Sequence, residues 1–302
     1  MIQTVRGPIE DADLGLALAH EHIVVDFHDP QQPPRPFDEG EVVSVMEPHL
    51  LRLRETGCAA FVDCTPDWLG RAPRALRALS ERTGLHIVTN TGWYQHPMVP
   101  PQAHEWEERR IADRWVAEAR YGIADTGVRP GFIKIALNSG ELSPLSQKIL
   151  RSAVRTSMET GLTIVSHTVG KAAALQAAAL MHAEGFPPER FVWAHADAQD
   201  GPEAHLELAQ QGMWISLDSI GNRHGEHVAM LRALLEAGME GRVLLSQDSG
   251  WYNVGDPLGG NVRPFHKLFT EFVPFAQEQG IDAGALRRIL SDNVARFLHV
   301  RV

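Results

Sequence analysis

The sequence predicts an α/β protein whose parallel strands close into a (β/α)8 barrel. Eight short apolar runs, each with β-branched or aromatic residues, alternate along the chain with helical stretches. This alternation is typical of parallel β/α units, and the 302 residues suit one closed barrel with modest additions. An open doubly wound sheet is the alternative, although no Gly-rich phosphate loop follows any run. The eight runs are 16–20, 59–64, 86–91, 131–136, 162–167, 190–195, 213–218 and 242–248.

The intervening stretches carry helix signals. Residues 143–161 open with Ser143 as an N-cap and end at Gly161 as a C-cap. Three more stretches repeat apolar residues at helical spacing and end in glycine: 38–57, 171–185 and 227–238. Residues 1–15 predict a small hairpin at the barrel floor. We expect one domain over residues 1–302, because no linker-like stretch divides the chain.

Composition excludes several classes of protein. The formal net charge is −10 and there is no basic run, which argues against nucleic acid as a main partner. No segment approaches about 18 consecutive apolar residues, so no membrane span is expected. The two cysteines form no C-x-x-C motif, and the N-terminus has no signal pattern. These features predict a cytoplasmic protein.

Ionisable residues cluster at the carboxyl ends of the predicted strands. In a parallel barrel these ends share one mouth, where active sites are built. The residues at or next to strand ends are His20, His22, Asp63, Lys134, His167, His195, Asp218 and Asp248.

Two patterns in this set favour a metal centre. Strand alternation puts His20 and His22 on one face and turns Glu21 away. Alternation also points Lys134 into the barrel, where an ammonium is costly unless it is paired or used chemically. For any single histidine the alternative is a hydrogen-bonded core residue, and Asp248 has the alternative of capping a turn. The whole set together suits metal ligation better.

The chain resembles the phosphotriesterase family of the amidohydrolase superfamily, nearly from end to end. The similar segments are AHEH, VDCTPDWLGR, HIVTNTGWY, YGIADTGVRPGFIKIA, VSHT, WAHAD, SLDSIG, LSQD and ILSDNVARFL. The ordered set H-x-H, Lys, His, His and Asp is specific, whereas H-x-H alone is not. The resemblance implies a TIM barrel with two divalent metals, zinc being expected and manganese, cobalt or iron possible alternatives.

The resemblance also implies a role for each matching residue. His20, His22 and Asp248 would bind the more buried metal, and His167 and His195 the more exposed one. An N-carboxylated Lys134 would bridge the two metals. A hydroxide shared by the metals would attack the substrate, with Asp248 as the catalytic base.

Other positions bear on the substrate. Tyr94 falls where lactonase-like members have a tyrosine at the metal centre, and the segment after the seventh strand is short, as in that branch. Trp251 and Tyr252, in a long Gly-rich loop, and Arg223 are candidate substrate-binding residues. Trp68 and Trp93 are weaker candidates.

Two departures from the family pattern concern the family's proton relay. Ser219 stands where members place Arg or His, and Ala198 stands where some have an acid. Lactonase-like members have an Arg near the substrate at the position of Ser219, so its absence counts against a lactone substrate. Asp197 and Asp200 lie nearby but are offset, so the relay is not carried over.

The sequence therefore predicts a binuclear-metal hydrolase that cleaves an ester-type bond, with a carboxylic ester or lactone favoured. A phosphotriester is the alternative substrate, and a catalytically silent metal-binding barrel is the alternative of another class. A phosphorylated lactone is a further alternative, although the mouth loops show no clear cluster of cations for its phosphate beyond Arg223 and Arg263. A small-molecule substrate is expected, and a homodimer is a further possibility by analogy with the family.

Overall fold

The computed structural model describes residues 1–198, 201–221 and 223–301, which form a ring of parallel strands surrounded by helices. The strands in these residues are β1 (Ile2–Thr4), β2 (Gly7–Ile9), β3 (Leu16–Val25), β4 (Cys58–Asp63), β5 (His86–Val88), β6 (Asn90–Thr91), β7 (Phe132–Leu137), β8 (Ile164–Thr168), β9 (Phe191–Ala194), β10 (Trp214–Leu217), β11 (Val243–Leu245) and β12 (Gly250–Asn253). The helices are α1 (Glu39–Arg54), α2 (Pro73–Thr83), α3 (Gln102–Glu105), α4 (Glu108–Tyr121), α5 (Pro144–Thr160), α6 (Lys171–Ala183), α7 (Glu203–Gln210), α8 (His224–Glu236), α9 (Val273–Glu278), α10 (Ala283–Arg288) and α11 (Val294–Leu298).

The strands form two parallel sheets that together make the barrel. One sheet runs β12-β3-β4-β5, and the other runs β6 to β11 in chain order. β5 and β6 are two parts of one barrel strand, interrupted only at Thr89. The ring closes where the chain after β11 returns to β3: Asp248 N donates to the carbonyl of His20 at 3.1 Å, and Gly250 pairs with His22. The predicted barrel is confirmed, and this closure excludes the open doubly wound sheet.

Two strands, β3 and β11, differ most in length from their predicted runs. β3 continues to Val25 because its second half pairs with β12 after a register shift between Leu18 and Glu21. β11 is shorter than predicted because the chain turns after Leu245 and reaches a left-handed backbone conformation at Asp248, with φ of 50°.

Helix α5 begins and ends as its sequence signals predict. The Ser143 hydroxyl accepts a hydrogen bond from Ser146 N at 3.1 Å, and Gly161 ends the helix at φ of 75°. A Cβ at Gly161 would lie 1.9 Å from the carbonyl oxygen of Arg301, so only glycine fits there.

Apolar side chains pack in two places, inside the ring and between the ring and the helices. Along β7, Phe132 packs inside the barrel, whereas Ile133 and Ile135 pack outside it. The antiparallel hairpin β1–β2 is present as predicted, and Ile2 packs with Phe297 of α11 against the interior layer. This layer fills the lower barrel, so the polar residues above it lie at the carboxyl-end mouth.

No helix in the described ranges is both long and apolar enough to span a membrane.

Candidate metal centre

The six predicted metal ligands converge on one pocket at the carboxyl ends of the strands. His20 and His22 lie on β3, Lys134 on β7 and His167 on β8, while His195 directly follows β9. Asp248 lies between β11 and β12. All six line one cavity of about 60 Å³, together with Cys64, Tyr94 and Trp251 among others. The backbone at His195, like that at Asp248, is left-handed, with φ of 62°. Backbone strain of this kind is tolerated where the surroundings fix a side chain for a task.

Asp218, at the end of β10, orients two of the histidines. Its Oδ2 lies 2.8 Å from His20 Nδ1, and its Oδ1 lies 2.8 Å from His195 Nδ1. The backbone N–H of His195 also donates to this carboxylate at 3.0 Å. An ionised carboxylate accepts hydrogen bonds only, so both rings carry their proton on Nδ1 and leave a lone pair on Nε2. In the neutral form of each ring, Nε2 is thereby the nitrogen that can bind a metal.

Thr65 fixes the ring orientation and the protonated nitrogen of His22 in a similar way. The Thr65 hydroxyl donates to the carbonyl of Val24 at 2.8 Å, so it accepts from His22 Nδ1, also at 2.8 Å. His22 Nε2 then faces Asp248 Oδ1 at 3.0 Å. Within the described residues this oxygen accepts no hydrogen bond although it is buried. A divalent cation could therefore bind His22 Nε2 and Asp248 Oδ1 at the same time.

Lys134 is almost fully buried, with 1 % of its surface exposed. Its Nζ lies 3.1 Å from His20 Nε2, and in the described part of the chain it forms no ion pair with a carboxylate. A buried ammonium without a counter-ion is costly, so a charged amine is an unfavourable state for Lys134 at this position.

His167 occupies the more open side of the pocket. Its ring packs against His195 at a centroid distance of 4.3 Å, and the Tyr94 hydroxyl lies 3.2 Å from both ring nitrogens. Burial raises the pKa of Tyr94, so its hydroxyl keeps its proton. Tyr94 therefore contributes a neutral hydroxyl at the edge of the ligand set.

Electrostatics favour the neutral, metal-binding form in three of the four histidines. Burial, followed by the charge of Lys134, lowers the pKa of His20 to about 4. Burial also lowers the pKa of His22 and lowers that of His167 well below its usual range. Burial acts to lower the pKa of His195 too, but the charge of Asp218 outweighs it and raises that pKa. The first three imidazoles are therefore neutral near pH 7, as metal ligation requires.

Both carboxylates are held in the ionised form. Burial acts to raise the pKa of Asp218, but the charges of His195 and His20 hold it well below its usual range. The pKa of Asp248 is lowered in the same way, because contact with His22 outweighs burial.

Glu21 supports the loop that carries Asp248. Its carboxylate accepts from the Ser246 hydroxyl at 2.7 Å, from Gln247 N at 2.9 Å and from Ser249 N at 2.6 Å. The side chain is turned away from the pocket, as strand alternation predicts, and it fixes the backbone on both sides of Asp248.

The donor set fits a divalent metal. Ligand atoms of His20, His22 and Asp248 lie within 4.8 Å of one another, as do those of His20, His195 and Asp218. In the second group Asp218 already bonds the Nδ1 side of both rings, so we assign it as the orienting partner and not as a ligand. Imidazole and carboxylate donors suit zinc and its first-row neighbours.

The predicted substrate-binding residues separate into two groups. Tyr94 and Trp251 line the pocket. Tyr252 does not: it is buried on the other side of β12, and its hydroxyl donates to Glu41 of α1. Arg223 lies outside the pocket as well and borders a neighbouring cavity, where it pairs with Glu226. These two residues are therefore not placed at the metal ligands.

The weaker candidates also lie elsewhere. Trp93 is fully buried in the outer core, and Trp68 lines a separate cavity of about 740 Å³ near the mouth. Asp197 is buried and bonds His227 Nε2 at 2.9 Å. Asp200 lies outside the described residues.

Asp218 and Thr65 are the supporting residues that the sequence did not assign to the site. Asp218 carried a signal, because it ends a predicted strand beside those of the ligands. Thr65 carried none, since its link to His22 depends on the packing of β4 against β3.

Comparison with known proteins agrees with this architecture. The model of the phosphotriesterase family matches residues 1–298. A phosphotriesterase homology protein of Escherichia coli K12 is 26% identical over 94% of this chain and 97% of its own. An aryldialkylphosphatase of Saccharolobus solfataricus is 25% identical over 97% of each chain.

Among solved structures, a mutant of a PTE-like lactonase from Deinococcus radiodurans superposes with a TM-score of 0.88. The two chains are 30% identical, and the match covers 99% of this chain and 100% of the other. The closed (β/α)8 barrel, the ligand set at its mouth and a family match over nearly the whole length lead to one conclusion: the chain belongs to the phosphotriesterase family and is a hydrolase.

Proposed function

We propose that the chain is a metal-dependent hydrolase that cleaves an ester-type bond, with a carboxylic ester or lactone favoured, at a centre of two divalent metals. The observation that carries the proposal is the burial of Lys134 among histidine nitrogens without a carboxylate partner. Carboxylation of Nζ would convert the buried cation into an anion with two oxygens. Such a group can bind two neighbouring cations at once.

The roles follow from position. His20, His22 and Asp248 would hold one ion, and His167 and His195 the other, with carboxylated Lys134 between them. The geometry of the first group supports this, since its three ligand atoms lie within 4.8 Å of one another. Zinc suits the mixed imidazole and carboxylate set, and manganese, cobalt or iron would also be accepted.

Two bound ions would supply Lewis acidity toward the substrate oxygen and lower the pKa of a water molecule. The protein's own groups do the rest. Asp248 is ionised and borders the pocket, so it can accept a proton during hydrolysis. Tyr94 offers a neutral hydroxyl, and Trp251 forms an apolar wall that excludes water.

A lactone or carboxylic ester is favoured over a phosphotriester. The support is the structural likeness to a protein named as a lactonase, the short segment between β10 and α8, and the position of Tyr94 beside His167. The phosphotriester remains the second candidate because a relative is named aryldialkylphosphatase.

A substrate screen tests the proposal. The metal-reconstituted protein and its Asp248→Asn variant are assayed against lactones, aryl esters and phosphotriesters. We expect hydrolysis of lactones or esters by the wild type and a loss of at least 100-fold in the variant. A protein that holds metal but hydrolyses no member of the panel would instead be a catalytically silent barrel.

Homodimerisation and a cytoplasmic location stay predictions.

A further inference from the structure

A second cavity, of about 300 Å³, adjoins the metal pocket. It lies between the segment after β10 and the loop that follows β12. We call it the cationic recess, and it is lined chiefly by Ser219, Arg223, Gln247, Asp248, Arg263 and Lys267.

The recess and the metal pocket are neighbours, because Asp248 lines both cavities. Arg263 links them as well. Its Nη2 donates to the carbonyl of Asp248 at 2.6 Å, and its guanidinium lies 4.1 Å from the centre of the Trp251 ring, which is part of the pocket wall. A group bound in the recess would therefore lie beside Asp248, whose Oδ1 faces His22 in the metal pocket.

The lining of the recess is strongly positive for a chain whose net charge is −10. Asp248 is the one acidic residue among the lining residues, against three cations. Arg223 pairs with Glu226 at 2.9 Å, but both side chains are about half exposed, so this pair is weak. Across the described residues, neither Arg263 nor Lys267 forms an ion pair with a carboxylate. Their charges are thus available to an anion from outside.

The larger cavity near the mouth has a contrasting lining. Prolines, glutamines, Trp68 and His96 contribute to it, and its lining within the described residues includes no arginine or lysine. An anionic part of a substrate would find no cation there. Of these two cavities, the recess has the lining that could stabilise such a group.

We propose that the cationic recess binds an oxyanion group carried by the substrate: a carboxylate, a phosphate or a sulfonate. This inference rests on the proposed hydrolase function and narrows its substrate class to anionic esters or lactones. Guanidinium groups bind such oxyanions through paired N–H donors, and Lys267 adds a point charge. The ester bond would lie at the metals while the anion holds the molecule in register.

Matched substrates test the specificity. Aryl esters and lactones are compared as pairs that differ only by an added carboxylate, phosphate or sulfonate arm. The wild type should favour the charged member of at least one pair by 10-fold or more in kcat/KM. Lys267→Gln and Arg263→Gln should each reduce this preference several-fold, mainly through KM. Arg129→Gln, an exposed arginine before the amino end of β7, is the matched control and should keep it. Equal use of both members, or a preference unchanged in the two variants, would overturn the proposal.

A binding measurement separates this inference from the hydrolase function. Calorimetric titration of the metal-loaded proteins with inorganic phosphate, methanesulfonate and acetate identifies the kind of anion. The metals also attract anions, but their contribution is common to all variants. We expect the Kd of the best anion to rise at least five-fold in Lys267→Gln and to stay unchanged in Arg129→Gln. If Kd rises in this way but no ester is hydrolysed, anion binding in the recess is supported and the proposed ester hydrolysis is wrong. If Kd is the same in every variant, the recess is wrong whatever the activity.

Discussion

Replacement of Asp218 by asparagine is expected to weaken metal binding although Asp218 is not a ligand. The carboxylate accepts from His20 Nδ1 and from His195 Nδ1, each at 2.8 Å. An amide offers one oxygen, so it can accept from only one of the two rings. The other ring meets an NH₂ group and must move its proton to Nε2, the atom that would bind the metal.

The expected magnitude follows from that geometry. The two rings are assigned to different ions, so one ion of the pair should lose most of its affinity. Removal of such an orienting partner typically costs 10- to 100-fold in metal affinity, or about 1.4–2.8 kcal/mol. Activity should fall by at least the same factor.

The assay is a competitive zinc titration against a chromogenic chelator, with metal content measured in parallel. Asp63→Asn is the matched control. Asp63 is also a buried aspartate at a strand end, but its Oδ1 accepts from Ile23 N at 2.9 Å and contacts no ligand ring. Its amide oxygen can keep that bond, so zinc affinity should change less than three-fold. Equal zinc affinity in wild type and Asp218→Asn would refute the tautomer argument.

Further predictions concern the pocket wall and acid stability. Trp251→Ala should raise KM about 10-fold by removing the apolar wall. Tyr252→Phe should leave kcat/KM within two-fold and lower the free energy of unfolding by about 1 kcal/mol. Equal kinetic effects of the two substitutions would contradict the placement of Trp251 in the pocket and of Tyr252 outside it. Burial acts to raise the pKa of Asp67, but Arg71 and Arg114 outweigh it and lower that pKa below its usual 3.8. The pairing thus stabilises the fold above that value and is lost as the pH falls through the lower folded pKa. Asp67→Asn should cost about 1 kcal/mol at pH 7 and progressively less below pH 4, measured by urea unfolding; a cost independent of pH would contradict this assignment.

The barrel and its six candidate ligands were predictable because they depend on local patterns. Strand alternation fixes which side of β3 carries His20 and His22, and which side of β7 carries Lys134. A parallel barrel then brings distant strand ends together without further information.

Placement across loops was not predictable in the same way. Trp251 and Tyr252 are adjacent in sequence, and only the position of β12 beside β3 shows that one faces the pocket and the other faces α1. The cationic recess joins Arg223 to residues 263 and 267, which lie on a different loop. Such contacts depend on how the loops pack and leave no periodic signal in the sequence.

If Lys134 binds the metals, its replacement should lower the metal content of the protein. Wild type and Lys134→Ala are purified with added zinc and bicarbonate, dialysed and analysed by inductively coupled plasma mass spectrometry, with circular dichroism to verify folding. We expect about two metal ions per chain in the wild type and fewer than one in the variant. A folded Lys134→Ala protein with the metal content of the wild type would contradict it.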